Sequence, residues 1–291
     1  MTDSWPDLAE LPSFRIAGFD IRYAMCGGGE PVLLAHGAMG DLRSLLPVAA
    51  RLSDAFATVT MSLPAVPAAY RPLRPFGTDG QVADLLDLIA HLGRSPVHLA
   101  AWSYTAHAAL VIAARHPDKI KSLFLFEPGF PTYIEDEHVT AAVIDDMVRA
   151  YEPVAEALAD GNVDNAVAHA IDAAAMEQGY FDRQPEAYRA IHQANATSLQ
   201  ALFEQSPPTA LTAAELAAIA CPTTIARGAR TRACYSLVTD AAARLVPGAR
   251  HIIVADAGHL LPEQEPERFA SLVRQHLSIA ASASIGTGAT K

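Results

Sequence analysis

The chain has 291 residues, 51% of them hydrophobic, and a formal net charge of −11 at pH 7. That length suits one large α/β domain or two small ones, and so acidic a balance excludes nucleic acid, which needs a basic surface. No apolar run reaches the length of a membrane span. The opening MTDSWPDLAEL lacks the basic-then-apolar order of a signal peptide. Three cysteines without metal-ligand spacing (Cys26, Cys221, Cys234) point to reduced thiols and a cytoplasmic protein.

In chain order, Phe14–Ala17 and Ile21–Met25 predict a hairpin around AGFD. Six short apolar runs follow: VLLA (32–35), FATVTM (56–61), VHLA (97–100), LFLF (123–126), TTIA (223–226) and HIIVA (251–255). Runs of strand length bounded by turn residues suit strands buried on both faces. Between them lie helical patterns. Thr78 and Asp79 are N-cap candidates before a face of Val82, Leu85, Leu86, Ile89 and Leu92. Pro266 opens a helix with Phe269, Leu272, Val273 and Leu277 inward. Alternating strand and helix predicts an α/β fold with a mostly parallel sheet flanked by helices.

Residues 129–215 break the alternation. They are Ala-rich, helical in pattern, and hold fifteen Asp or Glu against three Arg, which leaves the rest of the chain close to neutral. The expected organisation is a core domain of 1–128 and 216–278, a helical cap or lid of 129–215, and a flexible tail of 279–291, IAASASIGTGATK.

Ligands of an open parallel sheet bind at the carboxyl ends of its strands. Four such ends carry suggestive residues: HGAMG (36–40), Ser103, Glu127, and AGH (257–259). Each alone has an ordinary reading, Ser103 as a helix N-cap, Glu127 as a solvated strand end, the histidines as loop residues. The order serine, acid, histidine is what gives them meaning.

PVLLAHGAMGD, PVHLAAWSYTAHAALVIAARHP, KSLFLFEP and VADAGHLLPEQEPERF resemble the α/β-hydrolase family over roughly residues 14–278. The resemblance implies a serine hydrolase with Ser103 as nucleophile, His259 as base, and backbone amides of Ala38 and Tyr104 as the oxyanion hole. Two features depart from the family. The usual G-x-S-x-G reads AWSYT, with Ala101 and Thr105 in place of glycines, and MSLPA (61–65) stands where an Asp and a Gly are common.

The family's acid commonly follows the strand written here TTIA, but the loop RGARTRACYSL holds no carboxylate. Glu127, 24 residues after Ser103, resembles the relocated acid of zearalenone-type lactonases and some haloalkane dehalogenases, and is favoured over the later Asp240. A serine nucleophile sets aside dehalogenase and epoxide-hydrolase chemistry, which uses aspartate. No metal or nucleotide motif is present, so no cofactor is expected.

Trp102 and the lid residues Tyr133, Tyr151 and Tyr188 are the candidate substrate-binding side chains. Arg227, Arg230 and Arg232 are expected to pair with acids of the lid. The expected partner is a small hydrophobic ester or lactone, with no nucleic acid and no membrane, and oligomeric state left open, a homodimer included. The alternatives are a carbon–carbon bond hydrolase of ring-cleavage products, a cofactor-free oxygenase, or a binding protein on the same fold.

Overall fold

In the computed structural model, which describes residues 7–16, 19–62 and 76–286, the apolar runs form one eight-stranded sheet. Its strands in chain order are β1 (Ser13–Ile16), β2 (Phe19–Cys26), β3 (Glu30–Ala35), β4 (Phe56–Met61), β5 (Val97–Trp102), β6 (Ile120–Phe126), β7 (Thr223–Gly228) and β8 (Arg250–Val254). Across the sheet they run β1-β2-β4-β3-β5-β6-β7-β8. The first two pairings are antiparallel and all others parallel. The tip of the expected hairpin and most of the MSLPA segment lie outside the described residues.

The helices are α1 (Leu46–Leu52), α2 (Thr78–Leu92), α3 (Tyr104–Arg115), α4 (Glu137–Ala159), α5 (Val163–Ala175), α6 (Tyr180–Arg183), α7 (Glu186–Ala194), α8 (Thr197–Glu204), α9 (Ala213–Ala217), α10 (Ala233–Leu245), α11 (Leu261–Gln264) and α12 (Pro266–Gly286). Alternation along each strand sends successive side chains to opposite faces. Leu33, Leu99, Leu123, Leu125 and Ile225 pack with α2, α3 and α10, whereas Val32, Leu34, Phe124 and Phe126 pack with α1 and α12. Both faces are covered, which is why the central strands read as continuous apolar runs rather than as alternation.

Helices α4 to α9 all fall between β6 and β7 in the chain. None of the described helices is long and apolar enough to cross a membrane.

Three elements differ from expectation. HIIVA forms the edge strand β8 and is not buried on both faces: Ile253 is 52% exposed. The boundary expected at 215/216 falls inside α9, which begins at Ala213 under a capping box of Thr212 and Glu215. The tail expected from 279 is instead helical through Gly286 as part of α12, because Ala280 packs at 1% exposure.

Candidate active site

β5 ends at Trp102, and Ser103 stands between it and α3 in a left-handed conformation (φ 60°, ψ −120°). A serine there makes no cap hydrogen bond to its own helix, so the N-cap reading does not apply. Strained backbone of this kind persists only where the surroundings hold it. Thr105 supplies part of that hold. Its hydroxyl lies 2.6 Å from the His36 carbonyl and 3.0 Å from that of Trp102, so the residue replacing the usual glycine ties the turn to the loop after β3. Gly37 lets that loop approach the serine closely, since a Cβ there would stand 3.2 Å from the Ser103 Cβ.

Ser103, Glu127 and His259 are all buried, and they form one chain of hydrogen bonds. His259 Nε2 is 2.9 Å from Ser103 Oγ, and Nδ1 is 2.5 Å from Glu127 Oε2. The other partners of the carboxylate fix the direction of these bonds. Its Oε1 accepts from the Gly228 amide at 2.7 Å, and its Oε2 accepts from the Thr231 hydroxyl at 2.8 Å. A carboxylate surrounded by donors takes a third from Nδ1–H, so Nε2 carries the lone pair and accepts from the serine hydroxyl.

Glu127 follows β6, also in left-handed backbone (φ 52°) and with no exposed surface. Thr231 lies in the very loop where the family commonly carries its acid, and here that loop donates to a carboxylate arriving from the neighbouring strand. Asp240 is engaged elsewhere. It accepts from Arg227 at 2.6 Å and lies 3.1 Å from His251 Nε2, and makes no contact with His259.

Ala38 and Tyr104 flank the serine, both lining the cavity above it. Neither backbone N–H has an acceptor among the described residues, and Tyr104 opens α3, where the helix dipole favours negative charge. The Tyr104 hydroxyl donates to Gln205 Oε1. The loop bearing Ala38 leads into Asp41, which caps the short 3-10 helix Leu42–Leu45 and accepts from Asn195 Nδ2 of the α7 end at 3.0 Å.

The cavity holds about 370 Å³, within the range of small-molecule sites. Its walls combine Trp102, Tyr235 and Leu260 of the core with Met147, Tyr151, Ile171, Leu199 and Phe203 of the segment between β6 and β7. Among the described residues, no Asp, Glu, Lys or Arg lines it. Of the four candidate substrate-binding residues, Trp102 and Tyr151 line the cavity and two are corrected. Tyr133 is packed against α10, its hydroxyl donating to the Val238 carbonyl at 3.2 Å. Tyr188 is buried on α7, away from the lining. Only Arg232 among the three arginines pairs with an acid of the 129–215 segment, Asp146 at 3.0 Å; Arg230 pairs with Asp256.

Tyr235 went unrecognised in the sequence. Its ring lies flat on the His259 imidazole, centroids 3.7 Å apart and planes within 6°. The only prior signal is an aromatic residue shortly after the loop that usually carries the acid. The neighbouring Cys234 is no nucleophile, because burial pushes its thiol up to about 12.

A dihydrolipoyllysine-residue acetyltransferase component of the acetoin cleaving system of Cupriavidus necator is 27% identical over 269 residues, covering 90% of this chain and 67% of that protein. The esterase RhEst1 from Rhodococcus sp. ECU1013 superposes with a TM-score of 0.72 at 19% identity, covering 92% of this chain and 97% of the other. The enol-lactonase from Burkholderia xenovorans LB400 gives 0.67 at 19% identity, covering 92% and 100%. Both likenesses are of fold. Residues 32–272 match the sequence pattern of the Alpha/beta hydrolase family, and the chain is an enzyme belonging to that family.

Proposed function

We propose that the chain is a serine hydrolase cleaving an uncharged, hydrophobic carboxylic ester or lactone through an acyl-enzyme, without a cofactor. The observation that carries this is the hydrogen-bond chain Ser103–His259–Glu127 at the wall of a largely apolar cavity whose described lining holds no Asp, Glu, Lys or Arg. Ser103 Oγ attacks the carbonyl carbon while its proton passes to His259 Nε2. The amides of Ala38 and Tyr104 stabilise the oxyanion. The tetrahedral intermediate collapses to an acyl-serine, and the imidazolium returns its proton to the leaving oxygen. Water then attacks the acyl group with His259 again as base, and Ser103 is released. Glu127 holds the productive tautomer and stabilises the imidazolium throughout.

Helices α4 to α8 act as the lid, with Tyr151 and Trp102 among the side chains against the substrate. Three free cysteines accord with a cytoplasmic site of action.

A fluorophosphonate probe tests the reading. Labelling of Ser103 in the wild type, absent in Ser103→Ala together with turnover of p-nitrophenyl butyrate, is the expected result. Loss of a triad member lowers turnover by several orders of magnitude. An unlabelled Ser103, or a folded Ser103→Ala protein retaining most activity, sinks the acyl-enzyme reading and favours the oxygenase or binding alternatives.

A further inference from the structure

Tyr151 on α4 and Tyr235 on α10 meet hydroxyl to hydroxyl, Oη to Oη at 2.5 Å, and both line the cavity. Two hydroxyls carry two hydrogens, and the bond between them uses one. Whichever oxygen accepts keeps its own O–H, and neither has a further partner among the described residues. A donor without an acceptor in a largely apolar site is costly, so the cavity is poised for a ligand that supplies one.

The donor is also held in place. Tyr235 is fixed by its flat stack on His259, and Tyr151 pins its hydroxyl from the opposite helix. Two other polar side chains of the wall are engaged, Gln205 between the Tyr104 hydroxyl and the Leu202 carbonyl and His192 at 3.2 Å from Gln184 Nε2, whereas the Trp102 indole N–H is buried without a partner among the described residues. In the proposed reaction the imidazole that Tyr235 covers returns a proton to the leaving oxygen, and this adjacency is the reason for assigning the hydroxyl pair to the leaving portion of the substrate.

We propose that the Tyr151–Tyr235 pair is a specificity subsite that donates a hydrogen bond to a neutral acceptor oxygen on the leaving portion of the substrate. The acceptor is an ether, ketone or hydroxyl on the alcohol half of an ester, or on the corresponding part of a lactone ring. This rests on the serine-hydrolase reading above. A neutral acceptor suits the described lining, which holds no Lys or Arg to balance a charge.

The test compares cyclohexylmethyl butyrate with tetrahydropyranylmethyl butyrates, in which one ring methylene is replaced by oxygen at each position in turn. The readout is the ratio of kcat/KM for the oxygen-bearing ester over the carbocyclic one, in the wild type and in Tyr151→Phe/Tyr235→Phe. Because each ratio is taken on one preparation, partial unfolding cancels. The expected result is that the ratio for at least one ring position falls about tenfold or more in the double variant, the worth of one buried hydrogen bond. Each single variant keeps one donor and a larger ratio than the double.

Equal ratios in wild type and double variant overturn the subsite, and Ser103→Ala assayed alongside shows whether the hydrolase reading still stands. Should the double variant not fold, a wild-type crystal soaked with tetrahydropyranylmethanol gives the answer. A ring oxygen bonded to Tyr151 or Tyr235 supports the proposal, and an alcohol bound without that contact overturns it.

Discussion

Glu127 and Asp240 are both carboxylates near the carboxyl ends of strands, and their neighbours separate them. Glu127 is wholly buried, with His259, Gly228 and Thr231 all donating to it. Asp240 faces Arg227 and His251. Glu127→Gln keeps the shape but removes the charge that stabilises imidazolium, and its amide N–H₂ competes for the wrong tautomer. Turnover of p-nitrophenyl butyrate should therefore fall by roughly a hundredfold to ten-thousandfold, the upper figure being that of a comparable acid-to-amide change in a serine protease. Asp240→Asn should stay within about threefold of wild type, with thermal melting used to match folded fractions. The reverse pattern would return the acid to the later strand. At this scale the sequence was readable where an absence was informative: a loop without a carboxylate directed attention to Glu127. It was silent on Thr231, because a hydroxyl that donates to a carboxylate looks like any loop threonine until the two strands are adjacent. Tyr235 was hidden for the same reason, its importance lying in a stacking partner 24 residues away.

The strands and helices of the core were legible because each carries its own signal. A strand buried on both faces is an uninterrupted apolar run, and β3, β5 and β6 are nearly fully buried. β8 deceived because an edge strand can carry the same run of isoleucines while one side faces water. The helices between β6 and β7 are a harder case. Their existence follows from an Ala-rich helical pattern, but which aromatic faces the cavity depends on how each helix rolls against its neighbours. Tyr151 turned inward toward Tyr235, whereas Tyr133 fed its hydroxyl to Val238. The proposed lid role makes α5 a good place to test selectivity, since Ile171 is 5% exposed and lines the cavity. Ile171→Trp should fill part of the space and lower the kcat/KM ratio of p-nitrophenyl octanoate to acetate by about tenfold, a discrimination of one or two methylene contacts. An unchanged ratio in a folded variant would mean that acyl chains do not reach α5.

Across the whole molecule, the proposed catalytic residues and a second buried polar system occupy different parts of the same sheet. Ser103 and Glu127 lie just past the carboxyl ends of β5 and β6. Nearer the amino ends, Ser122 Oγ sits between His98 Nδ1 at 2.6 Å and His276 Nε2 at 2.8 Å. His276 Nδ1 reaches Thr224 Oγ1 at 2.9 Å, and His98 Nε2 reaches Glu30, so one polar chain stitches β3, β5, β6 and β7 to α12. Burial pushes His276 down to about 4, helped by the nearby His98 and Arg250. Burial likewise brings His107 of α3 to about 4, against the opposing bond to the Thr209 carbonyl. An unfolded histidine titrates near ~6.5. Above that value both states are neutral at these sites and neither affects stability. As pH falls from about 6.5 toward 4, the unfolded chain takes up protons that the folded chain refuses, so each site destabilises the fold by up to roughly 3 kcal/mol. The loss levels off below about 4, once the folded form protonates too. Urea unfolding at a series of pH values should therefore show stability declining through this window. His276→Gln, whose amide can still bond Ser122 and Thr224, should lower stability at neutral pH yet flatten the decline by close to one proton. Should the slope between about pH 6 and 4.5 be the same in His276→Gln as in wild type, this histidine is not what makes the fold acid-sensitive.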